Sequence, residues 1–98
     1  MIVRLVELFI QEDKLDLSRQ MLSRVAPKVR QFSGCTKLRI IEDLHNPGHI
    51  TTYSHWHSED DLNAYRNSDV FKDFWREIKP LFAERARAWS STTLHHLP

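Results

Sequence analysis

Glycine and cysteine are scarce: two glycines and one cysteine stand among 98 residues. A lone thiol, Cys35, excludes an internal disulfide framework and cannot by itself found a thiolate zinc site, so the expected setting is the cytoplasm. With so little glycine and no low-complexity tract, neither a linker nor a disordered tail is expected. Excess charge is absent as well. Fourteen Lys and Arg against thirteen Asp and Glu leave +1, with no basic block for a nucleic acid to exploit. No apolar run approaches the ~20 residues of a membrane span, and the first ten residues lack the charged-then-apolar order of a signal peptide. Internal repeats are absent too. These absences leave one domain spanning residues 1–98, which would bury only roughly 65% of its unfolded surface. Apolar surface left over would favour a second copy.

What is present alternates between strand and helix patterns. Ile2 to Ile10, IVRLVELFI, is apolar on both parity sets, Val3, Leu5, Glu7, Phe9 and Ile2, Arg4, Val6, Leu8, Ile10. A strand greasy on both sides needs cover on both sides. From Lys14 to Gln31, Leu15, Met21, Leu22, Val25, Ala26 and Val29 recur near helical spacing. Pro27 is expected to bend or divide that helix. Thr36 to Leu44 reads as a second strand, His45-Asn46-Pro47-Gly48 as a turn, and His49 to Trp56 or His57 as a third strand closing a hairpin. Ser58 with Asp61 resembles a capping box for a short helix carrying Leu62 and Tyr65, and Ser68-Asp69 opens another that reaches Pro80. Arg87 to Leu94 is expected to be the fourth strand. The order β, α, β, β, α-α, β predicts an α+β fold of the ferredoxin-like, split βαβ kind: a four-stranded antiparallel sheet with helices on one face. The bare face predicts a homodimer.

The run TYSHWHSEDDLNAYRNSDVFKDFW, with FSGC before the second strand and DLHNPGH before the third, resembles the antibiotic biosynthesis monooxygenase family of small dimeric α+β barrels. Trp56, Ser58 and Leu62 and the Asn67-to-Phe71 run carry the resemblance most specifically. It implies a homodimer and, in one branch, oxygenases of aromatic polyketides and quinols that use neither metal nor flavin. Haem-degrading members have an Asn, a Trp and a His at positions that fall here on Glu7, Tyr65 and Trp75, so haem breakdown by that route is disfavoured. Many quinol-type members have His at the position of Tyr65 and Glu at that of Ser54, so their usual acid-base set is not reproduced.

Glu7 is the first catalytic candidate, because a carboxylate among Val3, Leu5 and Phe9 could serve as a base near neutrality. Pairing with an arginine such as Arg39 or Arg87 would make it structural instead. Tyr65, if it points inward, offers a hydroxyl to a substrate oxygen, although a core aromatic has the same sequence signature. Trp56, Phe71, Trp75 and Trp89 are candidate walls for an aromatic ligand, or simply core. His55 and His57 share a strand face with His49, Thr51 and Tyr53, which is not a closed ligand set. Glu59, Asp60 and Asp61 suit the first turn of a helix. No metal is therefore expected, and His55 is instead a second candidate for proton transfer.

The sequence thus predicts a cofactor-independent monooxygenase acting on a phenolic, quinol or polyketide-like aromatic molecule with dioxygen. The alternative is a non-catalytic dimer of the same fold that binds a small molecule or fills its own interior. An interior packed shut by Phe74 and Trp75 would favour the alternative; a cavity bordered by Glu7 and Tyr65 would favour the enzyme. Neither a nucleic acid nor a membrane is an expected partner.

Overall fold

In the computed structural model, which describes residues 1–98, the apolar run Ile2–Ile10 is strand β1. It is followed by α1 (Leu15–Arg30), β2 (Cys35–Glu42), β3 (His49–Trp56), α2 (Glu59–Arg66), α3 (Asp69–Ile78) and β4 (Phe82–Ser91). Single 3-10 turns, Glu12–Lys14 and Lys79–Leu81, lead into α1 and β4. The sheet order is β2-β3-β1-β4 with every neighbour antiparallel, which is the ferredoxin-like α+β arrangement. β1 is greasy because it is central, hydrogen-bonded to β3 on one side and β4 on the other.

Strand alternation assigns the two faces. Leu8 and Ile10 of β1, with Ile50 of β3, pack under Leu22 of α1 and Ile78 of α3. A second cluster joins Val25 and Val29 of α1 to Cys35, Trp56 and Leu62. The opposite face carries Val3, Leu5, Glu7 and Phe9, each opposite His55, Tyr53, Thr51 and His49 respectively on β3. No helix covers that face.

The helix starts follow from their caps. The Ser58 hydroxyl accepts from the Asp61 amide at 3.2 Å, and that of Ser68 accepts from the Phe71 amide at 3.3 Å. The Asp61 side chain does not return a bond to Ser58; it lies against Gly34. Gly34 has φ +87°, in the left-handed region, and any side chain there would run into Asp61. Its carbonyl accepts from the His57 amide at 2.8 Å, so the loop FSGC and the stretch HWHSEDD are locked together in space.

Two expectations need correction. Pro27 does not divide α1, which runs on to Arg30 as one helix. It sits in the last turn, where one helical hydrogen bond is forgone, and the buried Val25 and Val29 on either side hold the turn against the sheet. The fourth strand lies at Phe82–Ser91, not Arg87–Leu94. Its last partner is Val3, opposite Ser91, and the β-branched Thr92 and Thr93 fall beyond the ladder.

Candidate functional site

Between the sheet and the helices lies a partly open cavity of about 320 Å³. Val6, Leu8, Leu38, Ile40 and Thr52 form its floor, and Leu22, Val25 and Val29 of α1 cover it from above. Tyr65, Phe71 and Trp75 close its far wall. The lining residues Arg66 and Ala88 are exposed and mark its mouth, on the side of the edge strand β4. The cavity exists because the sheet floor is built from small or branched side chains while the bulky rings stand on α2 and α3. It lies at the lower end of the ~300–1,000 Å³ typical of small-molecule sites.

Tyr65 is the hub of an aromatic series. Its ring stacks on Trp56 with centroids 5.0 Å apart and meets Phe71 edge-on at 5.3 Å; Phe71 in turn stacks on Trp75 at 5.8 Å. Trp56 is fully buried behind Tyr65, and its indole N–H donates to the Ser54 hydroxyl at 2.9 Å. Burial, with a smaller contribution from Cys35, pushes the Tyr65 phenol up to about 12. Tyr65 is therefore a neutral hydrogen-bond donor at ordinary pH and not a base. Every fully buried side-chain polar atom has a hydrogen-bond partner. The Tyr65 hydroxyl, which bonds to no group of the chain, accordingly remains accessible.

The sequence candidates are divided by the sheet. Tyr65, Phe71 and Trp75 meet at the cavity, whereas Glu7 and His55 project from the opposite face because their neighbours Val6, Leu8, Ser54 and Trp56 point toward the helices. Glu7 pairs with neither Arg39 nor Arg87. Its carboxylate accepts from His49 Nε2 at 2.7 Å, and His49 stacks on Phe9 with centroids 4.9 Å apart. His55 Nε2 lies 2.7 Å from the Tyr53 hydroxyl, and burial, then Lys37 and His96, lowers its affinity for a proton. Trp89 also stands on the open face, opposite Leu5, and is 41% exposed. Trp56 supports the cavity wall from behind without lining it. His49 and Asp43 approach each other to 3.9 Å on the far side of the Glu7 pair, yet no group of three or more His, Cys, Asp or Glu side chains is arranged to hold a metal ion.

No carboxylate, imidazole, lysine or thiol lines the cavity. Its charged groups are two guanidinium groups, those of Arg4 and Arg66, which the sequence pattern did not single out as site residues. The signal was there: Arg4 is the one charge in the parity set Ile2, Arg4, Val6, Leu8, Ile10, the set that faces the helices.

No helix is long and apolar enough to cross a membrane. Solved structures of the same shape include an antibiotic biosynthesis monooxygenase, with TM-score 0.92 and 17% identity over 97% of this chain and 100% of that one. Rv0793 from Mycobacterium tuberculosis superimposes with TM-score 0.90 and 14% identity, covering 99% and 98% of the two chains. PA3566 from Pseudomonas aeruginosa does so with 0.86 and 15%, covering 96% and 94%. No curated protein matches the sequence. At these identities the structural likeness speaks for the fold alone, but residues 1–77 match the family model for antibiotic biosynthesis monooxygenase. The chain belongs to the antibiotic biosynthesis monooxygenase family.

Proposed function

We propose that the protein is a cofactor-independent monooxygenase that oxidises a phenolic or quinol-like aromatic molecule in the cavity beneath Tyr65. The observation that carries this reading is the largely apolar cavity with Tyr65, whose hydroxyl bonds to no group of the chain, at its wall. Phe71 and Trp75 hold the flat ring, and Tyr65 donates to the oxygen derived from dioxygen, on which charge develops as it adds to the ring. The electron-rich substrate anion reacts with dioxygen at a ring carbon. One oxygen atom becomes the new carbonyl, the other leaves as water, and the substrate supplies all four electrons. The dry cavity keeps the anion and the peroxide formed from it away from bulk water.

Oxygen uptake with a panel of hydroquinones and hydroxynaphthalenes, some of them acidic enough to be ionised at the assay pH, tests the reading. The parent chain is expected to consume oxygen with at least one of them. Ala88→Trp, a change at an exposed rim position that threatens no core contact, is expected to reduce uptake by an order of magnitude or more. Uptake unchanged by the blocked rim would place the chemistry elsewhere and overturn the proposal.

A second copy covering the open sheet face completes the reading. There Trp89 is 41% and Ile41 56% exposed, alongside Leu5 and Phe9. Sedimentation equilibrium is expected to give twice the 11.7 kDa chain mass, and Trp89→Asp to shift the population to monomer. A parent chain that sediments as a monomer refutes this part.

The absence of a base from the cavity favours a second reading, a non-catalytic binder of the same small molecules. Saturable binding without oxygen uptake would select it.

A further inference from the structure

Arg4 and Arg66 both line the cavity, and neither has an acidic partner. The chain's salt bridges involve Arg19, His49 and Arg76, and neither Arg4 nor Arg66 takes part in one. The side-chain hydrogen bond made by Arg4 runs from Nη1 to the Ser90 hydroxyl at 3.2 Å. Arg66, in the last turn of α2, makes no side-chain bond and is exposed, while Arg4 is partly buried on the sheet floor. Both border a space whose remaining lining is apolar apart from Thr52, Ser54 and Tyr65. Two like charges thus stand beside an apolar cavity with no carboxylate of the chain to neutralise them.

We infer that Arg4 and Arg66 form an anion clamp at the mouth of the cavity, so that its ligand is an amphiphilic aromatic anion, a carboxylate or an acidic phenol already ionised. The inference rests on the cavity being the ligand site of the proposed function and specifies the chemistry of its substrate. A planar guanidinium matches a carboxylate or phenolate oxygen in geometry as well as in charge, and desolvation at the mouth strengthens the contact. An anion shared by the two groups also relieves their mutual repulsion. Burial, and to a smaller extent the nearby Arg66, hold the Arg4 pKa below its ordinary value. The ring then enters apolar end first, toward Phe71 and Trp75, with its charged oxygen at the arginines.

The clamp also accounts for the missing base. A phenol with an ordinary high pKa would need a proton acceptor, and none lines the cavity. A substrate acidic enough to arrive ionised needs only to be captured, and two cations favour the ionised form. The protein thereby selects its substrate by acidity as well as by shape.

Calorimetric titration with naphthoate and with the neutral naphthylmethanol of the same ring size tests the clamp, and a nitrated naphthol ionised at neutral pH serves as the phenolate arm. In the parent chain both anions are expected to bind roughly ten- to a hundredfold more tightly than the neutral probe, as charge-assisted hydrogen bonds imply. Arg4→Met and Arg66→Met are each expected to remove about tenfold or more of that preference while leaving the neutral probe's affinity within about twofold. Arg66 is exposed, so its variant carries the test even if the Arg4 variant folds poorly. Equal affinity for charged and neutral probes in the parent, or a preference that survives both substitutions, overturns the inference. Oxygen uptake is scored separately. An arginine-dependent anion preference in a chain that consumes no oxygen upholds the clamp and overturns the oxygenase reading; failure of every probe to bind overturns the clamp.

Discussion

Replacing Trp56 with alanine is expected to destabilise the domain by about 3–5 kcal/mol, the usual cost of removing a large buried aromatic. Trp56 is 0% exposed, packs with Val25, Val29, Cys35 and Leu62, and stacks on Tyr65. Its loss opens a cavity of indole size and leaves the buried Ser54 hydroxyl without the N–H that now donates to it. Against a typical total stability of about 5–15 kcal/mol, this is a large share. The melting temperature of a chain this short should fall by roughly 15 °C or more. Urea unfolding followed by far-ultraviolet circular dichroism measures the difference directly. Ser54→Ala separates the two contributions, since it keeps the whole indole and removes the hydroxyl to which it donates. A cost below about 1 kcal/mol for Trp56→Ala would mean that the second core cluster is not what holds α2 to the sheet. The functional consequence is local. Trp56 fixes the plane of Tyr65, so the alanine variant is also expected to weaken aromatic ligand binding even at a temperature where it remains folded.

Tyr65→Phe is expected to lower kcat about 10²–10³-fold and to change KM little, because it removes a donor aimed at developing charge while keeping the ring that shapes the wall. Glu7→Gln and His55→Phe are expected to stay within a few-fold of the parent, because both groups project from the sheet face away from the cavity. Equal losses in all three variants, or none in Tyr65→Phe, would sink the assignment of Tyr65. The same substitution has a signature in stability. Burial pushes the Tyr65 phenol up to about 12 in the folded chain, above the 10.0 ordinary for tyrosine. Between those values the folded chain holds a proton that the unfolded chain releases, so stability is intact below pH about 10 and falls as the pH rises toward 12. The loss amounts to roughly 2–3 kcal/mol, since each tenfold difference in proton affinity between the folded and unfolded chain is worth about 1.4 kcal/mol. Comparing urea midpoints of parent and Tyr65→Phe across that window isolates it from the other alkaline titrations: the parent should lose more stability than the variant. Identical pH profiles would show that Tyr65 is not buried as the cavity requires.

The two substitutions test different links of one chain of causes. Trp56 is buried and positions Tyr65; Tyr65 is kept neutral by the same burial; and a neutral phenol in a dry wall can donate to an oxyanion but cannot abstract a proton. The acid-base work expected of Glu7 or His55 is therefore not available inside the cavity. On the open face, Glu7 and His49 satisfy each other at 2.7 Å and His55 is tied to Tyr53, which suits a sheet surface that a second copy would cover.

Much of this was legible along the chain. The caps at Ser58 and Ser68 act within three residues of themselves, so sequence alone suffices to place α2 and α3. The two-sided apolarity of IVRLVELFI marked β1 as central before any pairing was known, and the order of elements fixed the split βαβ topology. The start of β4 was not legible. Phe82 to Ala86 is rich in Ala, Glu and Arg, which favour helix, and only the free edge of β1 draws the segment into a strand. The same edge ends at Val3, so Thr92 and Thr93, better strand formers, are left out.

The site divides along the same line. Parity could say that Glu7 and Arg4 lie on opposite faces of β1, because alternation is a local property of a strand. It could not say which face the helices cover, since that depends on the handedness and packing of the whole sheet. The sequence by itself therefore determined the elements, the fold and the family. Only the tertiary structure decided that the cavity lies on the sheet face of Arg4, beneath Tyr65 and Arg66, because a cavity is a shared property of residues far apart in the chain, and so is the charge at its mouth.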